Sequence, residues 1–185
     1  MLYYITENPD KITSVKRNLK GSGIKIQPKA VELLEIQSAN VEKIIQEKAK
    51  YAFSIIKKPL IVNDASWEIT ALGGFPGPYM KYVNKWLHAF DIINLMSGHL
   101  NREVFFNDNL YYIDEKREKL FSEKVSGEVL MAPKGKSRPS DEVFTFRKDK
   151  KTIASCINDG LDSFDGRQKL WQEFADWYQS EIISK

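Results

Sequence analysis

The chain is 185 residues long, with 42% hydrophobic and 29% charged residues, a balance that suits one compact domain or two closely packed lobes and excludes a disordered chain or a coiled coil. Its net charge of +3 comes from 28 basic residues dispersed among 25 acidic ones, which argues against a nucleic-acid binder and points only weakly to anionic ligands. One cysteine, Cys156, and two histidines, His88 and His99, exclude a disulfide framework and argue against a zinc site, so any metal is expected on oxygen ligands.

The N-terminal residues lack the basic, apolar and small-residue pattern of a leader, and no window reaches the length of a membrane span, so the cytoplasm is the expected location. Leu2–Ile5 reads as a buried strand. Asn8 and Pro9 then open a helix, as N-cap and first helical residue, that runs to about Leu19. Gly21–Gly23 stop it, "IKIQ" forms a second strand, and Val31–Gln37 is a loop or edge strand. From Ala39 to about Lys57, apolar residues recur at helical spacing. "PLIVNDAS" is a short strand ending in Asn63 and Asp64, followed by the Gly and Pro rich turn "ALGGFPGPY". One helix is expected from near Tyr79 to Met96. The pattern from Arg102 to Met131 predicts short antiparallel strands joined by polar turns, with "EVFFND" and "LYYID" as separate runs. "EVFTF" is a further strand, "TIASCI" a strand or the start of a turn, and the last helix carries Leu170, Trp171, Phe174, Trp177 and Tyr178 on its apolar face with Asp165 as its cap. Helices alternate with strands in the first half and strands cluster in the second. The expectation is one α/β domain over residues 1–185, a mixed sheet flanked by helices with a β-rich lobe at about 102–146.

Three places invite chemistry. A strand turning directly into a helix start is a seat for phosphate, with Thr6 and Asn8 as side-chain donors and Lys11 one turn on; simple capping explains the same residues. Lys48 belongs to the apolar stripe of its helix, so its stem either snorkels to water or directs its ammonium at an anion. Asp64 ends an apolar strand, where ligand sites form in α/β proteins and a carboxylate can hold Mg²⁺ or activate water; an Asp that opens a turn is the alternative. Glu35 is a second acid for a shared Mg²⁺. The basic stretches Lys134–Arg138 and Lys148–Lys151 read as solvated loops, not as an RNA surface.

Together these pieces resemble the inosine triphosphate pyrophosphatase family, which cleaves non-canonical purine nucleoside triphosphates to the monophosphate and pyrophosphate. "TENPDK" is similar to that family's Thr-Gly-Asn-x-x-Lys opening, and "NDASWEITALGGFPGPYMKY" to its central Ala-Leu-Gly-Gly-x-Pro-Gly-x-Tyr stretch, the most specific match in the chain. "GEVLMAPKG", "SDEVF" and "DGRQKLW" fall on its later motifs. The resemblance implies a long twisted mixed sheet in two lobes with a central cleft, a homodimer, Mg²⁺ held by Glu35 and Asp64, and catalysis by Asp64, Lys11 and Lys48. It implies substrate contacts from Thr6, Asn8, Lys11, Lys48, Lys81, Asp141 and Arg167. Glu7 replaces the first motif's glycine, Asn63 the first acid of the central pair, "RPS" an aromatic run, and Asp165-Gly166 the Ser-His before Arg167. The phosphate end is kept and the base pocket altered. An acceptor such as Asp165 suits a base that donates a hydrogen bond, and a nucleotide-binding homologue without turnover is the alternative function.

Overall fold

The structure, a computed structural model, describes residues 1–33, 36–165 and 169–184. In chain order the elements are β1 (Leu2–Ile5), α1 (Pro9–Asn18), β2 (Ile26–Lys29), α2 (Val41–Ile56), β3 (Leu60–Ile69), β4 (Pro76–Gly77), α3 (Met80–Trp86), α4 (Ala89–Leu95), β5 (Glu103–Ile113), β6 (Glu118–Val129), α5 (Pro139–Val143), β7 (Phe144–Thr145), α6 (Ile153–Asp159) and α7 (Lys169–Tyr178). The seven strands form one sheet in the order β2-β1-β3-β5-β6-β7, with β4 on β3. β1 runs parallel to β2 and β3, placing Leu2 opposite Ile26 and Tyr3 opposite Leu60, whereas β4 on β3 and β7 on β6 are antiparallel. This is the mixed α/β sheet with flanking helices that the pattern of elements implies.

The chain divides into two compact units, one of Met1–Asp64, Asp108–Glu123 and Gln168–Lys185, the other of Ala65–Asn107 and Lys124–Arg167. In the first, β3 is buried on both faces, and the period-2 alternation of a strand decides which helix each residue meets. Leu60 and Val62 join Ile45, Ala49 and Ala52 of α2 in one apolar cluster. Ile61 joins Val15 and Leu19 of α1 and Leu170, Trp171 and Phe174 of α7 in another. Continuing that alternation, Asn63 falls on the α1 side and Asp64 on the α2 side. Burial of each of these aliphatic side chains contributes about 1.5–3 kcal/mol, which fixes the register of the polar pair that follows.

The second unit is built around Met80 and Val83 of α3, Ile92 of α4, and an aromatic group in which the Trp67 ring lies 4.7 Å from Phe106 and 5.5 Å from Phe144. β6 passes β7 so closely that a Cβ on Gly127 would come within 2.4 Å of the Thr145 carbonyl oxygen and 2.5 Å of the Phe146 ring, so no larger residue fits there.

Several expectations are revised. The helix expected from Tyr79 to Met96 is two, α3 and α4, because Leu87 and His88 turn to extended backbone and the His88 N–H donates to the Asp91 carboxylate at 2.7 Å, a local cap that restarts the helix. "TIASCI" is neither strand nor turn but most of α6, since Thr152 Oγ1 accepts the Ser155 N–H and caps it. "EVFTF" is strand only at Phe144–Thr145; the preceding residues close α5. "EVFFND" and "LYYID" are not separate runs: β5 continues through Asn107, Asp108 and Asn109. That polar triplet reads as a turn, but each side chain is met inside the sheet, Asn107 by Ser66 Oγ, Asp108 by Asn63 and Asn109 by Ser122 Oγ.

The real β5–β6 turn is at Asp114, whose Oδ1 accepts the N–H groups of Lys116 and Arg117, both at 2.7 Å, while Oδ2 accepts the Tyr112 hydroxyl, also at 2.7 Å. Burial raises the Asp114 carboxyl pKa, but the Tyr112 hydroxyl and the two backbone donors outweigh it and leave the group below its usual value. Its contribution to stability is therefore complete above the unfolded value of about 3.9 and is lost as pH falls through the folded value. Asp114→Asn should unfold at lower urea than the native chain at pH 7, and the difference should shrink when both are measured near pH 3.

Candidate functional site

The first unit contains a pocket of about 590 Å³ lined by Thr6, Glu7 and Lys11 at the start of α1, Glu32 and Leu33 after β2, Lys48 of α2, and Asn63 and Asp64 of β3. Its floor is the carboxyl end of β1 and the middle of β3, which does not end at Asn63 and Asp64 as expected but runs on to Ile69, with a helix on either side. From the α2 side, Lys48 is only 7% exposed and its ammonium donates to Asp64 Oδ2. That excludes snorkelling to bulk water: the lysine of the apolar stripe is directed at a carboxylate in a pocket. From the α1 side, the Lys11 ammonium donates to the Asn63 carbonyl oxygen at 2.6 Å. Two cations thus meet β3 at successive residues on opposite faces.

The start of α1 is closed by its own side chains. Asn8 Oδ1 accepts the N–H of Asp10 at 2.8 Å and of Lys11 at 3.4 Å, Thr6 Oγ1 accepts the Asn8 N–H at 3.1 Å, and Pro9 has no N–H to offer. Capping is therefore what Thr6 and Asn8 do here. The helix end lends its dipole to the pocket, while the directional donors lining it are the Thr6 hydroxyl and the two ammonium groups.

Thr6, Lys11, Lys48 and Asp64 are the sequence-derived site residues brought together. Asn8 sits beside them as the cap. Lys81 is exposed on the first turn of α3 in the second unit. Asp141, in α5 of that unit, is buried, and its Oδ2 accepts Arg138 Nε at 2.8 Å and Ser137 Oγ at 3.0 Å. Asp165, read as a helix cap and as an acceptor for a base, instead accepts the Lys148 N–H at 2.9 Å and pairs with Arg147 at 3.1 Å. Glu35 and Arg167 lie outside the described residues. Glu32 was not anticipated: it lines the pocket from an irregular segment, where neither spacing nor element ends mark it.

No three His, Cys, Asp or Glu side chains converge to hold a metal among the described residues. The pocket offers oxygen donors only, from Asp64, Glu7 and Glu32, a set that fits Mg²⁺, which takes one or two carboxylates and completes its shell with water and phosphate oxygens. The basic loops carry ion pairs, Lys151 with Asp159 at 2.8 Å and Lys150 with Glu128.

Solved structures share this architecture: a Ham1 protein from Staphylococcus aureus superposes with a TM-score of 0.78 at 19% identity, covering 98% of this chain and 100% of that one, and one from Coxiella burnetii with 0.77 at 16% identity, covering 97% and 100%. The chain belongs to the Ham1 family, whose sequence profile matches residues 2–177. Among its relatives are proteins named dITP/XTP pyrophosphatase from Ignicoccus hospitalis, 33% identical with 94% of each chain covered, and from Hyperthermus butylicus, 30% identical with 93% of this chain and 91% of the other covered. The resemblance read from the motifs is thereby borne out.

Proposed function

We propose that this chain hydrolyses non-canonical purine nucleoside triphosphates of the dITP and XTP type to the monophosphate and pyrophosphate. The observation that carries this reading is the convergence of Lys11, Lys48 and Asp64 on one pocket over β1 and β3, in a chain whose relatives bear the name dITP/XTP pyrophosphatase. The ammonium groups of Lys11 and Lys48 offset the charge of the polyphosphate and stabilise the pyrophosphate as it departs. Asp64 orients a water and accepts its proton as the oxygen attacks the α-phosphorus; the α–β bridging P–O bond breaks and its electron pair leaves with pyrophosphate. Lys48, held against Asp64, fixes the direction of that carboxylate. Mg²⁺, held by Asp64 with Glu35, would neutralise charge on the phosphate oxygens. For Lys81, Asp141 and Arg167 the support as substrate contacts is the motif match in the sequence.

The test is a panel of nucleoside triphosphates with Mg²⁺, scored for monophosphate and pyrophosphate. The native chain should turn over dITP and XTP in preference to ATP. Asp64→Asn should lower kcat by at least about 10³-fold while leaving nucleotide affinity within a few-fold, and Lys48→Met should mainly weaken affinity. Native protein that binds these nucleotides without releasing pyrophosphate would overturn the reading in favour of a nucleotide-binding homologue without turnover.

We further propose that the chain works as a homodimer. Tyr82 and Trp86, four residues apart on α3, stack with ring centroids 5.2 Å apart and are 44% and 68% exposed; Phe90 on α4 is 63% exposed. Half-exposed, three such side chains offer on the order of 300–400 Å² of aromatic surface, the size of the apolar centre of an interface of about 800 Å² per partner. Sedimentation should show a dimer at micromolar concentration and a monomer for Trp86→Glu; a native monomer would refute the assignment.

A further inference from the structure

Resting on the reading of Lys11 as a phosphate contact, the geometry points to Asp108 as a positioning residue for that lysine, acting through Asn63. Asp108 is 1% exposed in the middle of β5, on the sheet face that carries Leu110 and Tyr112 into the α1 and α7 cluster. An apolar side chain would fill that place without the desolvation penalty of a carboxylate, so packing does not account for it. What the carboxylate does is hold Asn63: its Oδ1 accepts Asn63 Nδ2 at 2.7 Å, and the same amide donates to the Asn109 carbonyl at 2.9 Å. Both donors of the Asn63 side chain are thus committed to β5, and the residue cannot rotate about the strand. Its carbonyl oxygen, locked in turn, is the acceptor that receives the Lys11 ammonium at 2.6 Å. The connection runs from a buried acid on β5, through an amide on β3, to a cation on α1 that faces the pocket.

A neighbouring contact braces the same stretch, since Asn109 Oδ1 accepts Ser122 Oγ of β6 at 2.7 Å. Asp108 and Asn109 are therefore the anchorage of the Lys11 half of the site. Lys48 is reached from the other face and does not depend on it. Loss of Asp108 should weaken the grip on a polyphosphate while sparing the Asp64 chemistry.

The experiment is a double-mutant cycle between Asp108→Leu and Lys11→Met, with Asp108→Asn as the conservative variant. The readouts are affinity for inorganic tripolyphosphate by calorimetry and KM and kcat for dITP with Mg²⁺. Asp108→Leu should weaken tripolyphosphate binding and raise KM about tenfold with kcat changed less than about threefold, and in the Lys11→Met background it should add nothing, because the pair acts as one unit. Asp108→Asn keeps an acceptor oxygen for Asn63 Nδ2 and should stay within about threefold of native. Effects that multiply in the double variant, or an Asp108→Leu chain with lowered Tm but native affinity, would overturn the inference. A native chain without dITP turnover whose tripolyphosphate binding still follows this pattern would remove the pyrophosphatase reading and leave the positioning role standing.

Discussion

The pocket depends on one interaction, the ion pair between Lys48 and Asp64. It forms because two independent periodicities meet there: the helical repeat of α2, which buries Ile45, Ala49 and Ala52 and carries Lys48 with them, and the alternation of β3, which turns Asp64 to the same side as Leu60 and Val62. Neither element offers a reason of its own to bury an ammonium. A pair so placed contributes little to stability, since desolvation of both groups cancels most of their attraction, and hydrocarbon of the same shape would serve the core as well. The fold carries the pair as a local departure from good packing, the kind of departure expected where a protein binds or reacts.

Lys48 was legible for that reason. In a stripe of Ile and Ala it is the one residue whose type contradicts its position, and Asp64 was legible as a carboxylate closing an apolar run, although the strand itself continues past it to Ile69. The order of elements and the mixed sheet were likewise written in local patterns. What misled the sequence reading were features whose cause lies elsewhere in the chain. Asn107, Asp108 and Asn109 read as a turn because their partners, Ser66, Asn63 and Ser122, are distant in sequence; only tertiary pairing makes a polar triplet compatible with a central strand. The break between α3 and α4, by contrast, was present in the sequence as His88 and Asp91 at capping distance, hidden beneath a continuous apolar repeat. Glu32 gave no signal, because it lies in irregular backbone where side-chain direction follows no period.

The closed N-terminus of α1 shapes how the pocket treats an anion. In sites where open amide groups cradle a phosphate, the geometry of the cradle selects the ligand. Here Asn8 and Thr6 occupy those positions, and the positive groups that line the pocket are lysine ammonium groups, compact charges on flexible stems. Such groups follow charge more than shape. Away from the pocket, Arg138 pairs with Asp141 and Arg147 with Asp165, so these charges are matched locally.

Because Asn63 and Asp64 are adjacent yet serve opposite faces of β3, the pocket has no tolerance for length change in that strand. Deleting or inserting a single residue between Leu60 and Asp64 would exchange the two, turning the carboxylate toward Lys11 and the amide toward Lys48, while also reversing which aliphatic side chains enter each cluster. The spacing from Leu60 to Asp64 is therefore fixed at five residues, because the count decides which helix each side chain meets.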